Sequence, residues 1–292
     1  MKKKPKIAIV TGANAGIGKA AVQALAVEGA HVVMACRNLQ RGEAAKQEIE
    51  ENVPDAQLEV LSLDTSSMKS VRTFADDFNA RFENLDVLIN NAGNFDLKQR
   101  SPVLTDEGFE TIFATNYLGP WLLSHLLLEK LKSSSSARIL NVGSKGLMAF
   151  PFLDIEQDNL DGSRKFTPTH AYYLSKLCLL SATHEMARRL ESTGVVVNMV
   201  RVPAVQVDLS RLPVLPSWQI AIYKMKRRFS LTPAQMAETY SWLAMHPDTQ
   251  SLNGALVDEN HKVVDSPKSA RDLDKATLLW QKTTEMLGVS AC

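Results

Sequence analysis

The sequence predicts a doubly wound α/β fold, with a mostly parallel sheet and helices on both faces. Two observations carry the prediction. Strands that are apolar throughout are regularly separated by helical patterns, and the first strand runs into a glycine-rich turn that opens a helix. A strand apolar on both sides must be covered on both sides, and each right-handed crossover places its helix on one face.

The first strand is Lys6 to Val10, KIAIV. It leads through TGANAGIG into a helix over Lys19 to Glu28, whose Ala21, Val22, Leu25 and Ala26 fall at helical spacing. A strand over His31 to Ala35, a polar helix over Arg41 to Glu51, a strand over Leu58 to Leu63 and a helix over Met68 to Phe82 follow. After an apolar run over Asp86 to Asn90, Leu118 to Leu131 reads as a long apolar helix and Arg138 to Val142 as a strand. Tyr172 to Leu190 reads as a helix and Val195 to Val200 as another buried strand. With Ala255 to Asp258 as the last strand the sheet has seven, and a helix from about Ala270 to Leu287 closes the chain. One domain over residues 1–292 accounts for this pattern, the serines Ser133 to Ser136 being a turn too short to link domains. Two stretches break the alternation, Pro151 to Thr169 and an insertion at about 205–233, and a strand-helix tail occupies about 250–292. Long insertions on such sheets tend to be functional loops.

Composition narrows the function classes. A chain of this mass buries roughly three-quarters of its unfolded surface, so its core needs no disulfide or metal. Hydrophobic residues at 45% and charged residues at 22% exclude a disordered, collagenous or coiled-coil chain. The net charge of +1 lacks the basic excess of a nucleic-acid binder. Lys2, Lys3, Lys4 and Lys6 cluster, but a strand follows them directly, without the apolar core of a signal peptide. Ser124, His125, Glu129 and Lys130 interrupt the most apolar helix, so no transmembrane segment is expected. Three scattered cysteines, Cys36, Cys178 and Cys292, fit a reducing cytoplasm.

The turn Thr11-Gly12-Ala13-Asn14-Ala15-Gly16-Ile17-Gly18 places glycines where a strand reverses into a helix and where backbone N–H groups approach a pyrophosphate. Gly12, Asn14, Gly16, Ile17 and Gly18 are thus candidate cofactor contacts. About 20 residues on, the second strand ends in Ala35-Cys36-Arg37-Asn38, where a dinucleotide fold chooses between ribose hydroxyls and a 2′-phosphate. An acidic residue there would signal NAD(H). Arg37, with Asn38, favours NADP(H), although an arginine at a strand end is also an ordinary surface residue. Tyr172 and Lys176 stand four apart on one helix face and can meet at one site. Ser144 lies just past a strand, at the carboxyl end where such sheets bind ligands.

Taken in order, T-G-x-x-x-G-I-G (Thr11 to Gly18), N-N-A-G (Asn90 to Gly93), Asn116, Ser144 and Tyr172-x-x-x-Lys176 resemble the short-chain dehydrogenase/reductases. The resemblance covers roughly Lys6 to Leu209. It is especially close to the retinol-dehydrogenase-like branch, through ACRN at Ala35, DEGFE at Asp106, NYLG at Asn116 and AYYLSKL at Ala171. It implies a Rossmann fold and hydride transfer between NADP(H) and the carbonyl or secondary alcohol of a lipophilic small molecule. Tyr172 would be the acid/base and Lys176 would stabilise its phenolate and hold the nicotinamide ribose. Ser144 would bind the substrate oxygen, and Asn116 would position a water leading towards Lys176. Asp64 matches the acid that contacts adenine, while also suiting a turn or helix cap before Ser66 and Ser67. Asn91, Ala92 and Gly93 would line the cofactor path.

One stretch departs from that branch. Where it carries a Pro-Gly pair and then a threonine touching the nicotinamide carboxamide, this chain has Arg201-Val202-Pro203-Ala204-Val205-Gln206-Val207-Asp208. Pro203 alters which backbone N–H groups face the cofactor, and Val207 has no side-chain donor. The segment from Leu209 to Phe229 falls at the substrate-lid position. Its Leu212, Val214, Leu215, Trp218, Ile220, Ile222 and Phe229 suit a lipophilic ligand or simply pack the lid, and Lys224, Lys226, Arg227 and Arg228 read as a solvated face or as contacts to an anionic membrane surface or an acidic substrate. The apolar helix Leu118 to Leu131 would expose Trp121 in a monomer, so a homodimer or homotetramer is expected. No histidine has metal-ligand spacing, and no metal is expected. Two rivals to a carbonyl reductase remain: a non-catalytic NADP(H)-binding sensor, motivated by the altered stretch, and an enzyme reducing C=C bonds or acting on nucleotide sugars, for which the tail is short.

Overall fold

A computed structural model describes residues 4–206 and 230–290. Its sheet runs β3-β2-β1-β4-β5-β6-β7-β8. The strands are β1 (Ile7–Thr11), β2 (His31–Cys36), β3 (Gln57–Ser62), β4 (Val87–Asn90), β5 (Arg138–Ser144), β6 (Val196–Val202), β7 (Leu256–Val257) and β8 (Val263–Val264). Neighbours from β3 to β7 are parallel, and β8 pairs antiparallel with β7. The sheet thus has eight strands where seven were expected. The extra strand is two residues long, below the length at which alternation can be read. It is folded back by the Asp258 carboxylate, which accepts from Asn260 N and Lys262 N.

Side chains of β1 alternate between two cores. Ile9 joins Val33, Leu88 and Ile139 on one face, and Ala8 and Val10 join Val32, Ile89 and Leu140 on the other. The second face is covered by α1 (Gly16–Val27), α2 (Leu39–Asn52) and α7 (Pro233–Met245). The first is covered by α3 (Met68–Arg81), α4 (residues 111–126), α5 (Leu128–Lys132) and α6 (Pro168–Arg189). Helix α4 is three consecutive segments, Thr111–Phe113, a π-helical Ala114–Leu118 and Gly119–Leu126, so it begins before the expected Leu118. Helix α7 was not anticipated, although Thr232 and Gln235 form a full capping box around Pro233 at its first turn.

Helix α8 (Leu273–Leu287) packs over α4. Its Thr283 hydroxyl lies 2.7 Å from Tyr117 Oη, and Trp280 meets Trp121 edge-on at 4.9 Å. Trp121 is therefore 1% exposed within one chain, and the exposure that argued for association through this helix does not exist. The insertion 151–169 serves the same packing: Asp154 accepts from Lys275 Nζ, and Gln157 O accepts from Lys282 Nζ. No helix among the described residues is long and apolar enough to cross a membrane. Of the 205–233 insertion, residues 207–229, with Val207 and the lid side chains, lie outside the described residues, as do Lys2, Lys3 and Cys292.

Candidate active site

Strand order reverses beside β1, whose neighbours are β2 and β4, and crevices at such switch points hold ligands beyond the carboxyl ends of the strands. The glycine turn lies there. Gly12 and Gly16 have φ of 65° and 54°, a left-handed backbone that favours glycine. Nothing lies within 4 Å of a Cβ built on Gly16, whereas one built on Gly18 would overlap the Gly12 carbonyl. Gly16 therefore fronts open space, and Gly18 lets the turn close on itself. Helix α1 starts at Gly16 with Ala15 before it and no side-chain cap, so its first N–H groups stay available to an anion. Helices α2, α3, α6, α7 and α8 are instead capped by Asn38, Ser67, Thr167, Thr232 and Asp272.

A cleft of about 590 Å³ opens from this turn, lined by Gly12, Asn14, Arg37, Asn38, Asp64, Asn91, Ala92 and Gly93 among the expected residues. Two contacts fix the N-N-A-G loop to β1: Asn91 Nδ2 donates to Thr11 O and Ala92 N to Thr11 Oγ1, both at 2.9 Å. Arg37 is 78% exposed at the mouth, its Nη1 4.0 Å from Asp64 Oδ2. Asp64 Oδ1 accepts from Ser66 N and Ser66 Oγ, so the turn role is realised, while Ser67 takes the cap. Arg41, Leu63, Thr65, Asn94 and Thr115 complete the lining and were missed. Arg41 carried a readable signal, because a cation in the first turn of a helix opposes the helix dipole and needs another reason to be there. Gly16, Ile17, Gly18 and Pro203 are not among the lining residues. Pro203 follows β6 and leads to a bridge between Val205 and Leu231.

At the Gly93 end, the polar ends of Asn116 and Lys176 converge. A Cβ on Gly93 would sit 3.5 Å from Asn116 Oδ1 and 3.9 Å from Lys176 Nζ. Asn116 Nδ2 donates to Asn94 O and Ser175 Oγ, and its Oδ1 accepts from Asn94 N at 2.7 Å. Both its side-chain donors are thus spent on the loop after Gly93 and on α6, so a water held by Asn116 would donate to one of its oxygens. Lys176 is 3% exposed and donates to Val142 O at 2.7 Å. Burial alone lowers its pKa to about 8. Its Nζ stands 5.9 Å from the Tyr172 ring centre.

Tyr172, on the same helix, sits beside Ser144 at the end of β5. Burial pushes its phenol above the ordinary value, and the Ser144 hydroxyl pulls it partly back. The neighbouring Tyr173 is held elsewhere, its hydroxyl filling the space a side chain at Gly146 would take. Gly146 N in turn donates to Ser144 Oγ at 3.2 Å. The arrangement offers one phenol, one hydroxyl and one buried amine at the end of a cleft suited to an extended phosphorylated ligand. Among the described residues no cluster of three or more His, Cys, Asp or Glu side chains is placed to hold a metal.

Comparison with known proteins shows the family. A family model described as short chain dehydrogenase matches residues 6–153. The chain is 38% identical over 284 residues to retinol dehydrogenase 11 of Homo sapiens, covering 97% of this chain and 86% of that protein. It is 36% identical over 284 residues to retinol dehydrogenase 12 of Mus musculus, covering 97% and 87%. A solved but uncharacterised protein from Mycobacterium paratuberculosis superimposes with a TM-score of 0.73 at 27% identity, covering 98% of this chain and 96% of that one. The chain belongs to the short-chain dehydrogenase family.

Proposed function

We propose that the chain is an NADP(H)-dependent oxidoreductase acting on a carbonyl or secondary alcohol of a lipophilic small molecule. The observation that carries this reading is the cleft itself, with Arg37 and Arg41 in its lining and the Tyr172, Ser144 and Lys176 side chains beyond its Gly93 end. The residues present fit the cofactor. Gly16 leaves open space before an uncapped helix terminus for the pyrophosphate, and the two arginines suit a 2′-phosphate better than a bare ribose. Relatives named retinol dehydrogenases support a lipophilic alcohol or aldehyde as substrate.

NADP(H), when bound, supplies or accepts the hydride. Tyr172 Oη gives a proton to the substrate oxygen in reduction. The upward shift of its phenol makes it a weaker acid, so proton transfer depends on the Ser144 hydrogen bond that pulls the shift partly back and on the charge of Lys176. Ser144 Oγ donates a hydrogen bond to the same oxygen as charge develops there. Lys176, charged below about pH 8, favours a phenolate beside it once the proton has left, opposite charges stabilising each other. Asn116 holds Asn94, one of the residues that line the cleft.

The test is titration of the purified chain with NADPH and NADH, followed by nicotinamide fluorescence. NADPH should bind at least ten-fold more tightly, and Arg37→Asp should abolish the preference, since a negative charge at the mouth repels a phosphate. Equal affinities in the parent protein, or a preference untouched by Arg37→Asp, would overturn the cofactor assignment. On an aldehyde panel with NADPH, Tyr172→Phe should lower kcat by about 100-fold or more. Full turnover in that variant would remove Tyr172 from the chemistry.

A further inference from the structure

An aromatic strip runs past the proposed proton donor. The Phe95 ring lies on Tyr172, centres 4.2 Å apart and planes 28° from parallel. Tyr172 meets Tyr173 edge-on at 5.1 Å, and Tyr173 meets Phe150 at 4.5 Å. The two ends of the strip are open: Phe95 is 44% exposed and Phe150 39%. The middle is fixed, because the Tyr173 hydroxyl is seated against Gly146, and Gly146 bonds to Ser144. Phe95 is positioned from the other side, since Asn116 both donates to and accepts from the backbone of Asn94. Large rings left uncovered beside a reactive hydroxyl present apolar faces to whatever brings its oxygen to Tyr172 and Ser144.

We propose that Phe95 is a specificity-determining residue. Its ring, continued by Tyr173 and Phe150, makes this site accept flat aryl carbonyl compounds in preference to saturated ones of the same carbon skeleton. The inference rests on the reading that the substrate oxygen meets Tyr172. An aryl group lying along the strip can stack in the offset or edge-to-face arrangements that aromatic quadrupoles favour, whereas a puckered saturated ring gains only the contact area. The discrimination therefore depends on a ring at position 95, and an aliphatic side chain of similar bulk would not reproduce it.

The experiment uses the full chain with NADPH and measures binding of 2-naphthol and decahydro-2-naphthol by calorimetry, neither of which reacts with the reduced cofactor. The parent protein should bind 2-naphthol about ten-fold more tightly. Phe95→Leu should cut that ratio about five-fold, and Phe95→Tyr should keep it. The ratio of kcat/KM for 2-naphthaldehyde and its decahydro counterpart should move in parallel. A ratio unchanged in Phe95→Leu, or no binding of either alcohol, overturns the proposal. Tyr172→Phe separates it from the reading beneath: that variant keeps the ring, so it should lose turnover and retain the calorimetric preference. Turnover retained with preference intact would sink the catalytic role and leave the strip standing.

Discussion

Lys176 is a buried cation with no carboxylate partner among the described residues, its ammonium donating to the Val142 carbonyl. The unfolded chain holds this proton up to the ordinary value of 10.5, and the folded chain releases it at about 8. Between those values the unfolded state binds more protons, so stability must rise with pH across that window. Below it the folded state carries the whole cost of the buried charge, and above it none. Lys176→Met should therefore be more stable than the parent at pH 7. The advantage should shrink by about 1.4 kcal/mol per pH unit between 8 and 10.5. Urea unfolding of both proteins at pH 7, 8, 9 and 10 checks this, and a constant difference would mean that the folded chain keeps its proton. The Tyr172–Lys176 pair was legible because residues four apart share a helix face, and it read as chemistry through the order of the other motifs. Val142, the partner of Lys176 34 residues away, was not legible, because nothing local to either residue encodes the pairing.

Helix α4 shows what the pattern of a single element conceals. Its expected start at Leu118 follows the apolar run, but the preceding turns are helical too, capped by the Glu110 carboxylate on Ile112 N and Phe113 N. Those turns carry Thr111, Thr115 and Asn116, polar groups whose positions on the cleft side break the hydrophobic period by which a helix is read. The site thus erased the signal of the element that bears it. Gly119, in the middle of the helix, has a positional reason: a Cβ there would overlap the Thr65 carbonyl. That carbonyl is backbone and cannot swing aside, so Gly119→Ala must push α4 away from the loop that supplies Asp64 and Thr65 to the cleft. The expected outcome is a stability loss of about 1–3 kcal/mol together with weaker NADPH binding. Thermal unfolding and the nicotinamide titration read the two effects separately. An alanine that lowers Tm while leaving NADPH affinity unchanged would show that the contact is packing alone.

Across the whole molecule, the parallel sheet was legible because each of its inner strands is apolar on both faces, and only coverage by helices on both sides satisfies that. What covers what was not. Helix α8 reads as a helix from its stripe of Ala276, Leu279, Trp280, Thr283 and Leu287, but its target, Tyr117 and Trp121, lies about 160 residues earlier. Without that pairing, the apolar face of α4 looked like an interface between copies. The chain instead covers the face itself, and further ties hold the cover down: Arg72 Nη2 donates to Leu287 O, and the Arg189 guanidinium lies 4.7 Å over the Trp280 ring. Trp280→Ala removes the largest side chain of this cover. It should cost about 3–5 kcal/mol, as for other buried tryptophans. Because Trp121 and its leucine neighbours would then lose their cover, the variant should also associate more strongly with rising concentration than the parent. Urea unfolding gives the first quantity and sedimentation equilibrium the second. Destabilisation with no gain in mass would mean that α8 contributes core area and nothing more. Association stronger in the variant would mean that the C-terminal helix occupies a surface otherwise ready for a second copy of the chain.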